Sequence, residues 1–329
     1  MKRMKHCLSI CASLLFMLVT HPVAMAQDVS KWPDKPVHLI VPFASGGSTD
    51  LIARQIATEL SKTLGQPFIV ENKAGASGVI GSGFVAKQPA DGYTLLMGSV
   101  STHAMAPSVF SSLPYDIVKD FTPITLVGTI PDVIVVGPKI SAKNLNEFIA
   151  LAKSKPGTMT YATAGNGTSS HLGSAYFAAE ANINMNQVPY KGSGPALLDV
   201  LGGHVDMMLD VIMTSVEPLK AGKLRALAVT SLNRSSLLPD VPTVNELGIK
   251  GFEAIIWFGI LAPGNMPAAL QNKIANAFDQ VINSPTIKTY LLKQGVEVAG
   301  TGPAAFAQRI KSDTEKWAGV VKQSGIRPE

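Results

Sequence analysis

A chain of 329 residues, 46% hydrophobic and 16% charged with a formal charge of +5, has the length of about two domains and enough apolar side chain for sizeable cores. Both cysteines, Cys7 and Cys11, lie in the first 26 residues together with Lys2, Arg3 and Lys5; without that segment the chain has no thiol and its charge falls from +5 to +2. Disulfides, cysteine–zinc sites and cysteine nucleophiles are excluded from the remainder, and a near-neutral surface gives no footprint for nucleic acid.

Residues 1–26 read as a cleavable signal peptide. A basic start leads to an apolar stretch from Leu8 to Thr20, Pro22 breaks it, and Ala24-Met25-Ala26 supplies small residues at the −3 and −1 positions of a cleavage site. A retained anchor is disfavoured, because the apolar run is about a dozen residues where a spanning helix needs roughly 20. A lipoprotein reading of Cys11 meets a branched Ile10 where a small residue is required. The expectation is export, with cleavage after Ala26.

Short apolar runs then alternate with helical periodicity. Val37 to Val41 reads as a buried strand, and Ile52, Ile56, Leu60 and Leu64 mark one face of a helix from Leu51 that Gly65 stops. Phe68 to Val70 is the next strand, followed by a helix from about Val79 to Lys87, an Asp91-Gly92 turn and a strand from Tyr93 to Met97. This β-α-β-α-β order predicts a mainly parallel sheet with helices on its faces. The middle repeats the logic: a strand at Val133 to Val136, a capping box at Asn144 to Glu147 opening a helix, a strand at Met159 to Thr163, and a helix from near Ser170. Val188 to Tyr190 is extended, Pro195 is placed at the first position of a helix to Leu201, and Val205 to Leu209 and Leu224 to Val229 are strands. Three helices close the chain, at Pro267 to Ile282, Pro285 to Gln294 and Pro303 to Val321. Apolar runs at Pro123 to Val127 and Glu253 to Leu261 are candidate crossings between two α/β lobes, with a small-molecule cleft between them.

Two loops that leave a strand and enter a helix are rich in glycine and hydroxyl side chains. One is Phe43-Ala44-Ser45-Gly46-Gly47-Ser48-Thr49-Asp50; the other runs from Thr163 through Asn166, Gly167, Thr168 and Ser169 to His171. Glycine lets backbone approach a ligand, and a helix N-terminus presents unpaired N–H groups with positive partial charge, so each loop suits an anion. Taken singly, each is also an ordinary capped loop; two of the same character, one per lobe, turn the reading toward a carboxylate. Neither loop carries Lys or Arg, so binding would rest on backbone amides, hydroxyls and water. Ser99, Gly192 in the Lys191-Gly192-Ser193-Gly194 turn, and Asp210 at a strand end complete the candidate contacts, with a capping or solvated carboxylate as the alternative for Asp210.

Gly75-Ala76-Ser77-Gly78 with Gly81 and Gly83 fits neither nucleotide-binding glycine motif and reads as close packing of a loop and helix. There is no G-x-S-x-G and no H-E-x-x-H. His38, His103, His171 and His204 include no pair at metal-ligand spacing, and adjacency of Ser169, Ser170 and His171 is not triad geometry. No catalytic residue, metal or cofactor is expected.

The segments Val41 to Asp50 with Ala53-Arg54, Glu71 to Ala76 with Gly78 and Gly81, and Pro89 to Leu95 resemble the extracytoplasmic receptors of tripartite tricarboxylate transporters, the Bug proteins. So do Tyr161 to Leu172, Val188 to Gly192, Gly222 to Val229, Leu238 to Thr243 with Glu246 and Gly248, and Trp257 with Gly259. The resemblance implies an α/β, two-lobed periplasmic-binding fold of type II-like form, with the ligand cleft between lobes. It divides the chain into residues 27–127 in lobe 1, 128–232 in lobe 2, and 233–329 crossing back to lobe 1. It implies a monomer that holds a small mono- or dicarboxylate, partly through water, and delivers it to a permease of a large and a small membrane subunit. Signalling to a membrane sensor kinase, and hydrolysis by a secreted enzyme, are the alternatives. Ser45 stands where the family often has Pro and adds a donor to the first loop; Lys73-Ala74 replaces the common Arg-Pro.

Overall fold

The computed structural model describes residues 29–326. The expected signal peptide and its cleavage point at Ala26 lie outside the described residues. The first unit is β1 (Val37–Val41), α1 (Ser48–Leu64), β2 (Phe68–Asn72), α2 (Val79–Val85) and β3 (Thr94–Ser99). β1 lies between β2 and β3 and pairs with both in parallel, as the alternating pattern predicts. Ile52, Ile56 and Leu60, spaced four apart, are fully buried on one face of α1, and Gly65 ends the helix in the left-handed conformation, donating its N–H to the Ser61 carbonyl.

A turn and the short α3 (Ala106–Val109) lead into β4 (Phe121–Val136), a strand of 16 residues. The sequence reads Pro123 to Val127 as a crossing and Val133 to Val136 as a separate strand, and the structure corrects that to one continuous element. The register against β9 slips at Pro123/Thr125, beside a proline that cannot donate to the ladder, and again at Leu126/Gly128. Up to Pro131 the strand pairs with β9 (Ile255–Pro263); from Asp132 onward it pairs with β7 (Met207–Val211) and β8 (Arg225–Val229). One strand thus belongs to both lobes.

Lobe 2 holds α4 (Leu145–Ser154), β5 (Thr160–Thr163), α5 (Ser169–Glu180), β6 (Asn186–Pro189), α6 (Ser193–Leu201) and α7 (Ile212–Lys220), with β5 parallel to both β6 and β7. Asn144 caps α4 by accepting the Glu147 N–H at 2.9 Å, and the Glu147 carboxylate reaches back to the Lys143 N–H at 2.7 Å. The placement of Pro195 at the start of α6 is corrected: the helix opens at Ser193, because Gly192 at φ 123° turns the chain into the helix earlier.

β9 returns antiparallel between β3 and β4, and α8 (Ala268–Ile282), α9 (Pro285–Lys293), β10 (Glu297–Val298) and α10 (Gly302–Ser324) complete the molecule. β10 pairs with β4, and α10 packs on both β4 and α5. The Trp257 indole N–H donates to Asp313 at 2.8 Å, and Arg309 donates to the same oxygen, tying β9 to α10. No helix among the described residues is long and apolar enough to cross a membrane. Gly98 and Gly259 face each other across β3 and β9, and a Cβ on Gly259 would stand 2.1 Å from the Phe306 ring of α10. Gly259→Ala is therefore expected to destabilise the fold by about 1–3 kcal/mol, seen as a lower urea midpoint at constant slope; an unchanged midpoint would contradict the seating of that ring.

Candidate functional site

A cleft of about 870 Å³ lies between the two sheets, within the ~300–1,000 Å³ usual for small-molecule sites. Phe43, Ala44, Ser45, Gly47, Ser48 and Thr49 form its wall on lobe 1, with Ser99 from the end of β3; Thr168, Ser169 and Gly192 face them from lobe 2. Ten of the residues expected to contact a ligand are thus brought to one surface. Three helices start on that surface. Their N-cap residues, Gly47 for α1, Thr168 for α5 and Gly192 for α6, make no side-chain cap, which leaves first-turn N–H groups to serve a ligand, apart from that of Ser169, which Ser101 Oγ accepts.

Six expected contacts, Asp50, Thr163, Asn166, Gly167, His171 and Asp210, are not among the residues that line the cleft. Asp50 is buried and accepts from the Gly46 N–H at 2.9 Å, Arg54 Nε at 3.0 Å and Asn72 Nδ2 at 2.9 Å. Burial alone would raise its pKa, but the Arg54, Gly46 and Asn72 hydrogen bonds outweigh burial and hold the carboxyl below its ordinary value. Asn72 also donates to the Phe43 carbonyl at 3.1 Å, so one cluster fixes both ends of the first loop. Thr163 and Asn166 are held by Gln187, whose Nε2 lies 2.9 Å from both Thr163 Oγ1 and Asn166 Oδ1. Gly167 donates its N–H to His171 Nδ1 at 3.1 Å, which makes His171 a brace for the second loop. Asp210 is fully buried and accepts from the Thr214 and Ser215 hydroxyls, at 2.7 Å each, in the first turn of α7; burial pushes its pKa up to about 6. For Asp50 and His171 the reason is the same: each turns inward to satisfy a loop N–H, of Gly46 and of Gly167.

The two lobes also touch. Ser101 Oγ accepts the Ser169 N–H at 3.2 Å, and Ser77 Oγ donates to the Asn166 carbonyl.

With this geometry in view, the chain can be set beside known proteins. The sequence model of the "Tripartite tricarboxylate transporter family receptor" matches residues 52–326. Protein BugT of Bordetella pertussis is 37% identical over 311 residues, covering 94% of this chain and 95% of BugT. The chain belongs to this family. Among solved structures, an R. palustris receptor with adipate superposes at a TM-score of 0.87 with 34% identity, covering 91% of this chain and 100% of that one. MatC of Rhodopseudomonas palustris, solved with bound malate, superposes at 0.82 with 34% identity, covering 88% of this chain and 99% of MatC. The two-lobed fold is thus that of the solute-binding receptors.

Several wall residues of this tripartite-transporter receptor escape a reading of its sequence. Ser77, Ser101, Tyr190, Thr214, Ile256 and Phe258 all line the cleft. The third glycine-rich segment reads as packing from its sequence, and packing is there: a Cβ on Gly75 or Gly78 would lie 2.4 Å from Ile80 or 2.5 Å from Thr102. The same segment also presents Ala76 and Ser77 to the cleft, a second use that composition does not reveal. Lys191, in the turn before α6, is the single charged side chain on the wall.

Asp50→Ala in this receptor leaves three donors without their acceptor and is expected to cost about 1–3 kcal/mol, measured by urea denaturation. Asp210 gives a pH signature. Its carboxyl is harder to ionise folded than unfolded, so the folded state binds the extra proton between the ordinary value of 3.8 and about 6, and stability falls as pH rises through that window. Asp210→Asn cannot ionise, so its stability relative to the native chain should climb by about 3 kcal/mol across the window and then level off. Parallel stability–pH curves for the two proteins would show that the carboxyl is not strained by burial.

Proposed function

We propose that this receptor captures a small mono- or dicarboxylate between its lobes and delivers it to a permease built of a large and a small membrane subunit. The observation that carries the reading is the convergence of the α1, α5 and α6 N-termini on a cleft wall with no acidic side chain. Backbone N–H groups and the hydroxyls of Ser45, Ser48, Thr49 and Ser169 are the donors that a carboxylate needs, and the helix dipoles add to them. The relatives solved with adipate and malate support the same ligand chemistry. The protein works as a monomer in the periplasm, after removal of residues 1–26 at Ala26, and binds its solute without turning it over. His171 Nδ1 and Ser170 Oγ support binding over catalysis, since each accepts a backbone N–H of the second loop.

A thermal-shift panel of aliphatic, aromatic and amino-acid carboxylates tests this. At 100 times its dissociation constant a true ligand stabilises by about 2.7 kcal/mol, so at least one compound should raise the midpoint clearly; a flat panel would sink the reading. Gly47 has φ −79°, and an added Cβ would come no closer than 3.7 Å to its surroundings. Gly47→Val should therefore fold normally while its isopropyl group fills the anion position and abolishes binding. Retained affinity would remove the first loop from the site.

A further inference from the structure

β4 changes partners between Pro131 and Asp132: Pro131 pairs with Ile255 of β9, and Asp132 with Val211 of β7. The chain's return to β9 passes the same point. The Thr230 hydroxyl accepts the Asp132 N–H at 2.9 Å, and Thr230 donates its own N–H to the Asp132 carbonyl at 3.0 Å. The Thr230 carbonyl in turn accepts the Ala254 N–H at 3.0 Å. Both passages between the lobes are thus tied together around Asp132, which makes this level the hinge.

The side chain held there is an acid. Asp132 is 1% exposed, and its Oδ1 is hydrogen bonded to no described residue. It shares a face of the sheet with Val211, its partner on β7, and with Ile130 two residues back, whose partner is Ile256. Val211 and Ile256 both line the cleft, so the carboxyl lies beneath the cleft floor, where the lobes join. A second buried carboxyl, Asp210, stands one position along β7, its Oδ1 also unpaired.

No cation answers either acid among the described residues. On the elements packed against β4, Arg309 of α10 pairs with Asp313, Lys316 of α10 with Glu253, and Lys220 of α7 with Glu217. Asp279 of α8 accepts from Thr125, Arg225 of β8 donates to the Ile140 and Ala142 carbonyls, and Glu297 of β10 is exposed. Only Asp210 bears on Asp132, and it acts with burial, the larger cause, to push that carboxyl well above its ordinary range. Ionised in this place, Asp132 would be a buried charge without a partner, so the packed hinge holds it neutral.

Building on the receptor reading, in which the lobes part and close, we propose that Asp132 is a proton-operated latch at the hinge: neutral while the lobes are packed together, it ionises once they part and water reaches it, so rising pH opens the cleft. The closed form binds the extra proton. By linkage, a ligand that needs the closed form is captured with proton uptake and released more readily as pH rises.

The chain has no cysteine after residue 26, so dyes on Lys62→Cys of α1 and Lys153→Cys of α4, both exposed positions, report lobe separation by energy transfer in the absence of ligand. From about pH 5 to about pH 9 the separation should grow, the open-to-closed ratio rising by up to about tenfold per pH unit, the limit for one proton. Asp132→Asn and Asp132→Val, neutral at every pH, should keep the short separation throughout. Asp210→Asn, which removes the neighbouring charge, should move the transition to lower pH. A separation that ignores pH in the native chain, follows pH equally in both Asp132 variants, or is freed from pH by Asp210→Asn alone overturns the latch. Because no ligand is present, that failure leaves the receptor reading standing, whereas a flat carboxylate panel sinks the receptor reading and leaves the pH response of the hinge as measured.

Discussion

An α-helix cannot satisfy the first backbone N–H groups of its own ladder, and the receptor is organised around that deficit. Away from the cleft it is closed locally in part: Asn144 caps α4 and Ser284 caps α9 with side-chain oxygens, while α8, with Pro267 at its N-cap, and α10, with Pro303 in its first turn, have no side-chain cap. At the cleft it is left open on α1, α5 and α6, two of whose N-cap residues are glycines with no oxygen to offer. Each end contributes a favourable interaction with an anion of about 0.3–1 kcal/mol when exposed and up to about 2 kcal/mol when partly buried. On the carboxylate reading proposed above, several such ends, with the hydroxyls between them, would hold the anion in a wall that contains no arginine. The start of α7 makes the contrast clear. It also borders the cleft through Val211 and Thr214, but Asp210 already engages its first turn through Thr214 and Ser215, so that helix has an internal anion.

Open donors are useful only if they are held still, because a loop that must be ordered by its ligand spends binding energy on doing so. The residues behind the wall supply that order. Asp50, Arg54 and Asn72 bind the first loop to α1 and β2, while Gln187 on β6 braces the second from outside. The bracing residues come from the strands flanking the loops, so the parallel sheets themselves set the positions of the donors. This is why a cleft made of loops has the rigidity of the layers beneath it.

Much of this was legible in the sequence, for local reasons. An apolar run, then glycines and hydroxyls, then apolar residues four apart can only be a strand turning into a helix, and that placed Phe43 to Thr49 and Thr168-Ser169 at helix starts. What stayed hidden depended on distance along the chain. Whether Asp50 or Asn166 faces a ligand or turns back is decided by Asn72 and Gln187, which composition does not bring near. Pro123 to Val127 reads as a crossing and Val133 to Val136 as a separate strand because each run is locally apolar, yet β4 carries both, with register slips against β9 at Pro123/Thr125 and Leu126/Gly128. Ser101 was invisible for a related reason: its partner, the Ser169 N–H, belongs to the opposite lobe.

That last hydrogen bond bears on how capture is coupled to closure. The lobes share β4 and are bracketed by α10, whose Trp317 meets Tyr176 of α5 edge-on with ring centres 6.4 Å apart. Across the cleft they meet through neutral groups, Ser101 with the Ser169 N–H and Ser77 with the Asn166 carbonyl. Neutral hydrogen bonds of this kind contribute only about 0.5–1.5 kcal/mol each, enough to bias the lobes together and too little to lock them. A carboxylate facing both walls makes charge-assisted bonds about twice as strong, and it can make the full set only when α1 on one lobe and α5 and α6 on the other point at it together. A ligand shifts an equilibrium only by its difference in affinity for the two states, so on the carboxylate reading proposed above, donors divided between the lobes would put the anion's stabilisation into the arrangement in which both walls face it.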